Sequence, residues 1–136
     1  MVFITSEQYN LIINHAKDNL PNEDCGLLGG ILEGNNKIVK KVYFLKNIDE
    51  SPEHFSMEPK EQFAAVKDMR ANGWILLGNF HSHPNSPSRM SEEDKRLAFD
   101  TNLSYLILSL ANDEPVLKSF NIDNDKQVTI EELVVK

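Results

Sequence analysis

The chain has 136 residues, 40% of them apolar and 26% charged, with a formal net charge of -7. That length suits one compact domain spanning residues 1–136, and the acidic balance repels phosphate backbones, so a nucleic-acid partner is not expected. A lone cysteine, Cys25, excludes an internal disulfide and a cysteine-only zinc site, leaving histidine and carboxylate as the available metal ligands.

In chain order, the first seven residues lack the basic start and long apolar stretch of a signal peptide, and no run approaches the ~20 apolar residues of a membrane span. The expectation is a cytoplasmic protein with no membrane partner. Ser6 to about Asn19 reads as a helix with Ser6 as N-cap and an apolar stripe of Tyr9, Ile12, Ile13 and Ala16. His15 falls beside that stripe and should be exposed. Cys25 to Leu32 reads as a buried strand, Gly34-Asn35-Asn36 as a turn, and Lys37 to Asn47 as the returning strand of a hairpin. Residues 48–58 are irregular. Pro59 suits a first helical position, and a helix to about Asn72 would turn Phe63, Val66 and Met69 inward.

Trp74 to Phe80 is nearly all apolar, as in a central strand covered on both faces, and runs directly into His81-Ser82-His83-Pro84. A loop over 84–90 leads to a third helix from Ser91 to about Thr101. Ser104 to Leu110 reads as another buried strand, and Val116 to Ile122 and Gln127 to Val135 as a final pair around Asn124-Asp125. The fold class is α/β, with one mixed or mostly antiparallel sheet flanked by helices.

Side chains two apart on a strand point the same way, so His81 and His83 present two imidazoles on one face at a strand end. Two neutral imidazoles suit zinc, and a catalytic zinc site commonly has three protein ligands. Asp94 is the third candidate. Ser91 is a good N-cap, Asp94 sits at N3, and Leu97 and Ala98 share its helix face and imply that it points inward. A buried carboxylate needs a partner, which a metal on two histidines supplies. Glu92 and Glu93 fall on other faces. A further carboxylate can serve as the general base, and Glu23, just before an apolar strand, is one option among many acids.

His81-Ser82-His83, seven intervening residues and then Ser91-Glu92-Glu93-Asp94 resemble the signature of the JAMM (MPN-plus) zinc metalloproteases. Glu23-Asp24-Cys25-Gly26-Leu27-Leu28-Gly29-Gly30 is similar to that family's upstream glutamate strand, and the order of elements agrees over roughly residues 5 to 120. The resemblance implies a deaminase-like α/β fold, one Zn2+ on His81, His83 and Asp94, Glu23 as general acid/base and Ser91 as a stabiliser of the oxyanion. It also implies a hydrolase of peptide or isopeptide bonds, acting just after the C-terminal glycine of a ubiquitin-like protein. The short chain looks more like the compact bacterial members, some of which process sulfur-carrier proteins. Many of those carry proline just before the motif serine, where this sequence has Met90.

Plainer readings stand beside these. Ser91 can be only a helix cap, Glu23 a solvated loop acid, and Cys25 a small buried residue rather than a nucleophile. His54 lies in the irregular segment and would line the substrate entrance; Trp74 and Phe80 read as core. Rival functions are a noncatalytic scaffold of the same fold, a general small-peptide metallohydrolase, and a deaminase, whose Pro-Cys-X-X-Cys element is missing.

Overall fold

A computed structural model describes all residues, 1–136. It contains eight strands and three helices: β1 (Val2–Ile4), α1 (Ser6–Asp18), β2 (Cys25–Glu33), β3 (Asn36–Leu45), α2 (Pro59–Ala71), β4 (Ile75–His83), α3 (Glu92–Leu97), β5 (Ser104–Ser109), β6 (Val116–Ile122), β7 (Val128–Glu131) and β8 (Leu133–Val135). All eight strands form one mixed sheet in the order β7-β6-β5-β4-β2-β3-β1-β8. β4 pairs with β5, and β1 with β3 and β8, in parallel; the other pairs are antiparallel.

The last expected strand is in fact two. β7 and β8 lie at opposite ends of the strand order yet are separated only by Glu132. A strand advances ~3.3 Å per residue, so the two edges must come within a few residues' reach of each other and the sheet must curl. The Glu132 carbonyl accepts from Val2 N at 2.9 Å, and the Glu131 carboxylate accepts from Ser104 Oγ at 2.6 Å and Ser119 Oγ at 3.0 Å. β1, absent from the sequence reading, is the short strand that lets β8 pair at that edge.

Strand alternation sorts the core. Leu28, Phe80, Leu106 and Leu108 face one side with Ile12, Ile13 and Ala16 of α1. Cys25, Leu27, Tyr43 and Leu45 face the other, under Ala65 and Met69 of α2. Tyr105, Ile107 and Phe120 join Met90 and Ala98 in a third cluster next to α3. β5 is therefore buried on both faces, as its continuous apolar run requires.

Three local expectations need correction. The N-cap of α1 is Thr5, not Ser6: Thr5 Oγ1 accepts from Gln8 N at 3.0 Å, and Gln8 Oε1 accepts from Thr5 N at 2.9 Å, a reciprocal box that Ser6 cannot make. Phe63 is 73% exposed rather than inward, while Ala65 and Met69 are buried. The reason is close packing at Gly29, where an added Cβ would stand 2.8 Å from Met69 Cγ; small Ala65 and flexible Met69 let α2 settle there. α3 stops at Leu97, which is 48% exposed, and not at Thr101. Lys126 Nζ donates to the Ala98 carbonyl at 2.8 Å, and the Asp100 side chain accepts from Asn102 N at 2.8 Å, so local bonds replace a further helical turn.

Candidate metal centre

The register of β2 against β4 sets Cys25 opposite His81. Continuing it two residues puts Glu23 across from His83. Two bonds hold this extension: Ser82 N donates to the Asp24 carbonyl at 3.0 Å, and Asp24 N donates to Ser82 Oγ at 2.7 Å. Alternation then sends His81, His83 and Glu23 to one face and Ser82 and Asp24 to the other. On that far face His15 is not free: its Nδ1 lies 2.6 Å from Asp24 Oδ2 and its ring stacks on Phe44 at 4.0 Å.

β4 ends at His83, and residues 84–90 carry the chain to Ser91. Ser109 Oγ donates to the Ser86 carbonyl and Ser88 Oγ to the Ile107 carbonyl, each at 2.6 Å, while Met90 is buried in the third cluster. Met90 thus anchors by packing a loop that a proline would stiffen by its ring. Ser91 caps α3: its Oγ accepts from Asp94 N and its N donates to Asp94 Oδ2, both at 3.0 Å. This box, rather than the helix face, aims Asp94 at the histidines; its side chain is only 10% exposed.

The three candidate donors converge. His81 Nε2 and His83 Nε2 are 3.1 Å apart, and each is 3.2 Å from Asp94 Oδ2. Bonds of ~2.0–2.1 Å to a tetrahedral zinc put ligand atoms about 3.3 Å apart, so this triangle matches one face of such a site. Protonation strengthens the match. His83 Nδ1 lies 3.0 Å from the Pro87 carbonyl, which only accepts; Nδ1 therefore carries a proton and Nε2 of the neutral ring keeps its lone pair. With the His83 lone pair, His81 Nε2 and a carboxylate oxygen at these distances, a cation among them would be drawn to all three. The group can hold a metal ion.

The electrostatics follow from burial and this proximity. Burial pushes the His81 imidazole down, against the pull of Asp94. Burial also opposes charge on His83, but its bonds to Asp94 and Pro87 prevail and raise it. Burial works against ionised Asp94 too, yet the contacts to His81 and His83 hold its carboxyl well below the usual range. Glu23 is 5% exposed, and burial pushes its carboxyl up to about 8, with His83 lowering it and Asp94, Glu93 and Glu53 raising it further. Buried Cys25 is pushed up to about 12, and its Sγ donates to the Leu45 carbonyl at 3.5 Å, an inert thiol rather than a nucleophile.

Sequence reasoning missed the cover of the site. Phe55 stacks on His81 with ring centroids 4.5 Å apart, and His54, expected near an entrance, has its Nδ1 2.6 Å from Glu93 Oε2. Asn47 organises that segment: its Nδ2 donates to the carbonyls of Glu23 (3.1 Å) and His54 (3.0 Å), and its Oδ1 accepts from Asp49 N and Ser56 N. An asparagine before an irregular stretch was the only signal for it.

Comparison with known proteins places the chain among relatives of the same fold. The chain is 58% identical to a protein from Desulfitobacterium hafniense whose solution structure superposes with a TM-score of 0.92, over 100% of this chain and 93% of that one. It is 25% identical over 109 residues to the CysO-cysteine peptidase of Mycobacterium tuberculosis, covering 80% of this chain and 73% of that protein. It is also 25% identical over 111 residues to the desampylase of Haloferax volcanii, covering 78% of each. The family model described as prokaryotic homologs of the JAB domain matches residues 5–123, and with that span the chain belongs to this family.

Proposed function

We propose that the protein is a zinc-dependent hydrolase that cleaves the amide bond after the C-terminal glycine of a ubiquitin-like or sulfur-carrier protein. His81, His83 and Asp94 would hold the zinc, Glu23 would move the proton and Ser91 would donate to the oxyanion. The observation that carries this reading is the 3.1–3.2 Å triangle of two imidazole nitrogens and a carboxylate oxygen, a spacing that suits one face of a tetrahedral cation site. The names of the peptidase and desampylase relatives support the substrate class.

When bound, zinc supplies Lewis acidity towards water and the substrate carbonyl. The remaining work belongs to the chain. Glu23, raised by burial, comes back towards neutrality beside a dication, where a carboxylate can both take and return a proton. It accepts the proton of the attacking water; the water oxygen bonds the carbonyl carbon, the C–N bond breaks and the amine leaves with that proton. Ser91 Oγ already accepts the Asp94 N–H, so its own hydroxyl proton is free to meet the oxyanion. Capping and catalysis therefore use opposite sides of one oxygen. Phe55 over His81 excludes water from one flank.

The test is to purify the protein, load it with zinc and incubate it with tail adducts of ubiquitin-like and sulfur-carrier proteins, reading products by mass. Cleavage after Gly-Gly is expected, lost on chelation and lost with zinc retained in Glu23→Gln. Parental turnover in Glu23→Gln removes its assigned role. Stoichiometric zinc without cleavage of any adduct leaves a small-peptide hydrolase, and no zinc at all leaves a scaffold.

A further inference from the structure

His81 carries a polar atom that the rest of the fold leaves unserved. Its side chain is only 4% exposed, yet its Nδ1 has no hydrogen-bond partner, the one buried side-chain nitrogen or oxygen in the structure of which this is true. His83 differs, because its Nδ1 meets the Pro87 carbonyl at 3.0 Å. A neutral imidazole that offers Nε2 to a cation must carry its proton on Nδ1. In that state His81 holds a buried donor in need of an acceptor, and an unpaired one disfavours the very tautomer that binds.

A cavity of about 50 Å3 adjoins the His81 ring, and the other polar residues around it are Asn79, Asp94 and Tyr105. Two of these are engaged. Tyr105 Oη donates to the Asp100 carbonyl at 2.6 Å and accepts from Asp100 N at 3.3 Å, while Asp94 Oδ2 accepts from Ser91 N and faces both imidazole nitrogens. None of the hydrogen bonds of the metal centre or of Tyr105 uses the Asn79 amide. Strand alternation puts Asn79 on the face of His81 and His83. Pairing sets it between Leu27 of β2 and Tyr105 of β5, both of them buried. The structure thus brings together one amide without a partner and one orphaned imidazole nitrogen. Residues two apart on a strand are offset by about 6.6 Å, close to the span of two hydrogen bonds through one water. A cavity of about 50 Å3 holds one such water with little to spare.

We propose that Asn79 is a positioning residue for His81: through one water in this cavity its carbonyl oxygen accepts the Nδ1 proton and fixes the tautomer that keeps a lone pair on Nε2. The inference rests on the metal part of the proposed function and is independent of the substrate. Backbone holds one ligand, at Pro87, and a side chain holds the other.

The test uses zinc, with affinity read by competition against a chromophoric chelator. Asn79→Leu has nearly the same size and no acceptor, and should weaken zinc about 10–100-fold. Asn79→Asp keeps an acceptor in place and should bind at least as tightly as the parent. In the zinc-loaded parent with isotope-labelled histidine, long-range proton–nitrogen spectra should show His81 protonated at Nδ1, and that proton should cross-relax with a bound water. The water contact should vanish in Asn79→Leu, a change that a merely structural role would not produce. Zinc affinity of Asn79→Leu within about threefold of the parent, an Asn79→Asp as weak as Asn79→Leu, or no water contact at the parental Nδ1 proton overturns the role. If Asn79→Leu does not fold, the parental spectra and Asn79→Asp still decide it. A parent that binds no zinc sinks the proposed function and this role with it, whereas equally tight zinc in the parent and Asn79→Leu sinks the role alone.

Discussion

Ser91 offers the sharpest separation of structure from chemistry, because its oxygen is asked to do two things. As an N-cap it accepts the Asp94 N–H at 3.0 Å. Removing such a cap by alanine costs about 1 kcal/mol, whereas glycine at the same place costs only a few tenths. With an unfolding entropy of about 2.1 cal/mol/K per residue, 1 kcal/mol corresponds to about 3–4 °C in Tm for a chain this long. Neither alanine nor glycine can donate to an oxyanion, a contact worth about 10²–10³ in kcat. Ser91→Ala should therefore lose both stability and turnover, Ser91→Gly should lose turnover with a nearly parental Tm, and Ser91→Thr should keep both. Thermal melts and single-substrate kinetics on the three zinc-loaded variants decide it. Turnover in Ser91→Gly within about threefold of the parent would refute the oxyanion role and leave Ser91 as a cap.

Two further outcomes follow from the geometry. Glu23 has its folded carboxyl raised from 4.5 to about 8 in the metal-free protein, so the fold favours its protonated form. Its stabilising contribution is full below pH 4.5 and is lost as pH rises through about 8; metal-free urea midpoints should fall across that window, less steeply in Glu23→Gln, and parallel curves would contradict the assignment. At Gly78, an added Cβ would stand 2.3 Å from the Ser104 carbonyl oxygen, inside the parallel β4–β5 pair. Because that neighbour is backbone and cannot turn away, Gly78→Ala should destabilise by about 4 kcal/mol or more, read by denaturant unfolding, and a near-parental midpoint would show that the two strands can separate cheaply.

Much of this was legible in the chain because the signals were local. Period-two spacing put His81 and His83 on one face, and that holds for any strand at that place. The apolar run at β5 and the Ser91 cap were equally local. Asp94 points inward as the spacing with Leu97 and Ala98 implies, but α3 ends at Leu97, and the capping box rather than a continuous helix face does the aiming. Phe63 went wrong because periodicity reports which residues share a face, and the tightness at Gly29 decides which face docks.

The sequence by itself determined the strand that carries two imidazoles, the cap that begins α3, and, through resemblance to the JAMM signature, the expected partnership with Glu23. Only the tertiary structure decided that the sheet curls until β7 and β8 sit one residue apart, that Asn47 and Phe55 fold a distant segment over His81, and that Asn79 and Tyr105 border a cavity beside His81. The physical reason is range. Backbone alternation and capping act over two to four residues and are written in the chain, whereas sheet closure and cavity walls join residues far apart, whose meeting depends on the packing of every element between them.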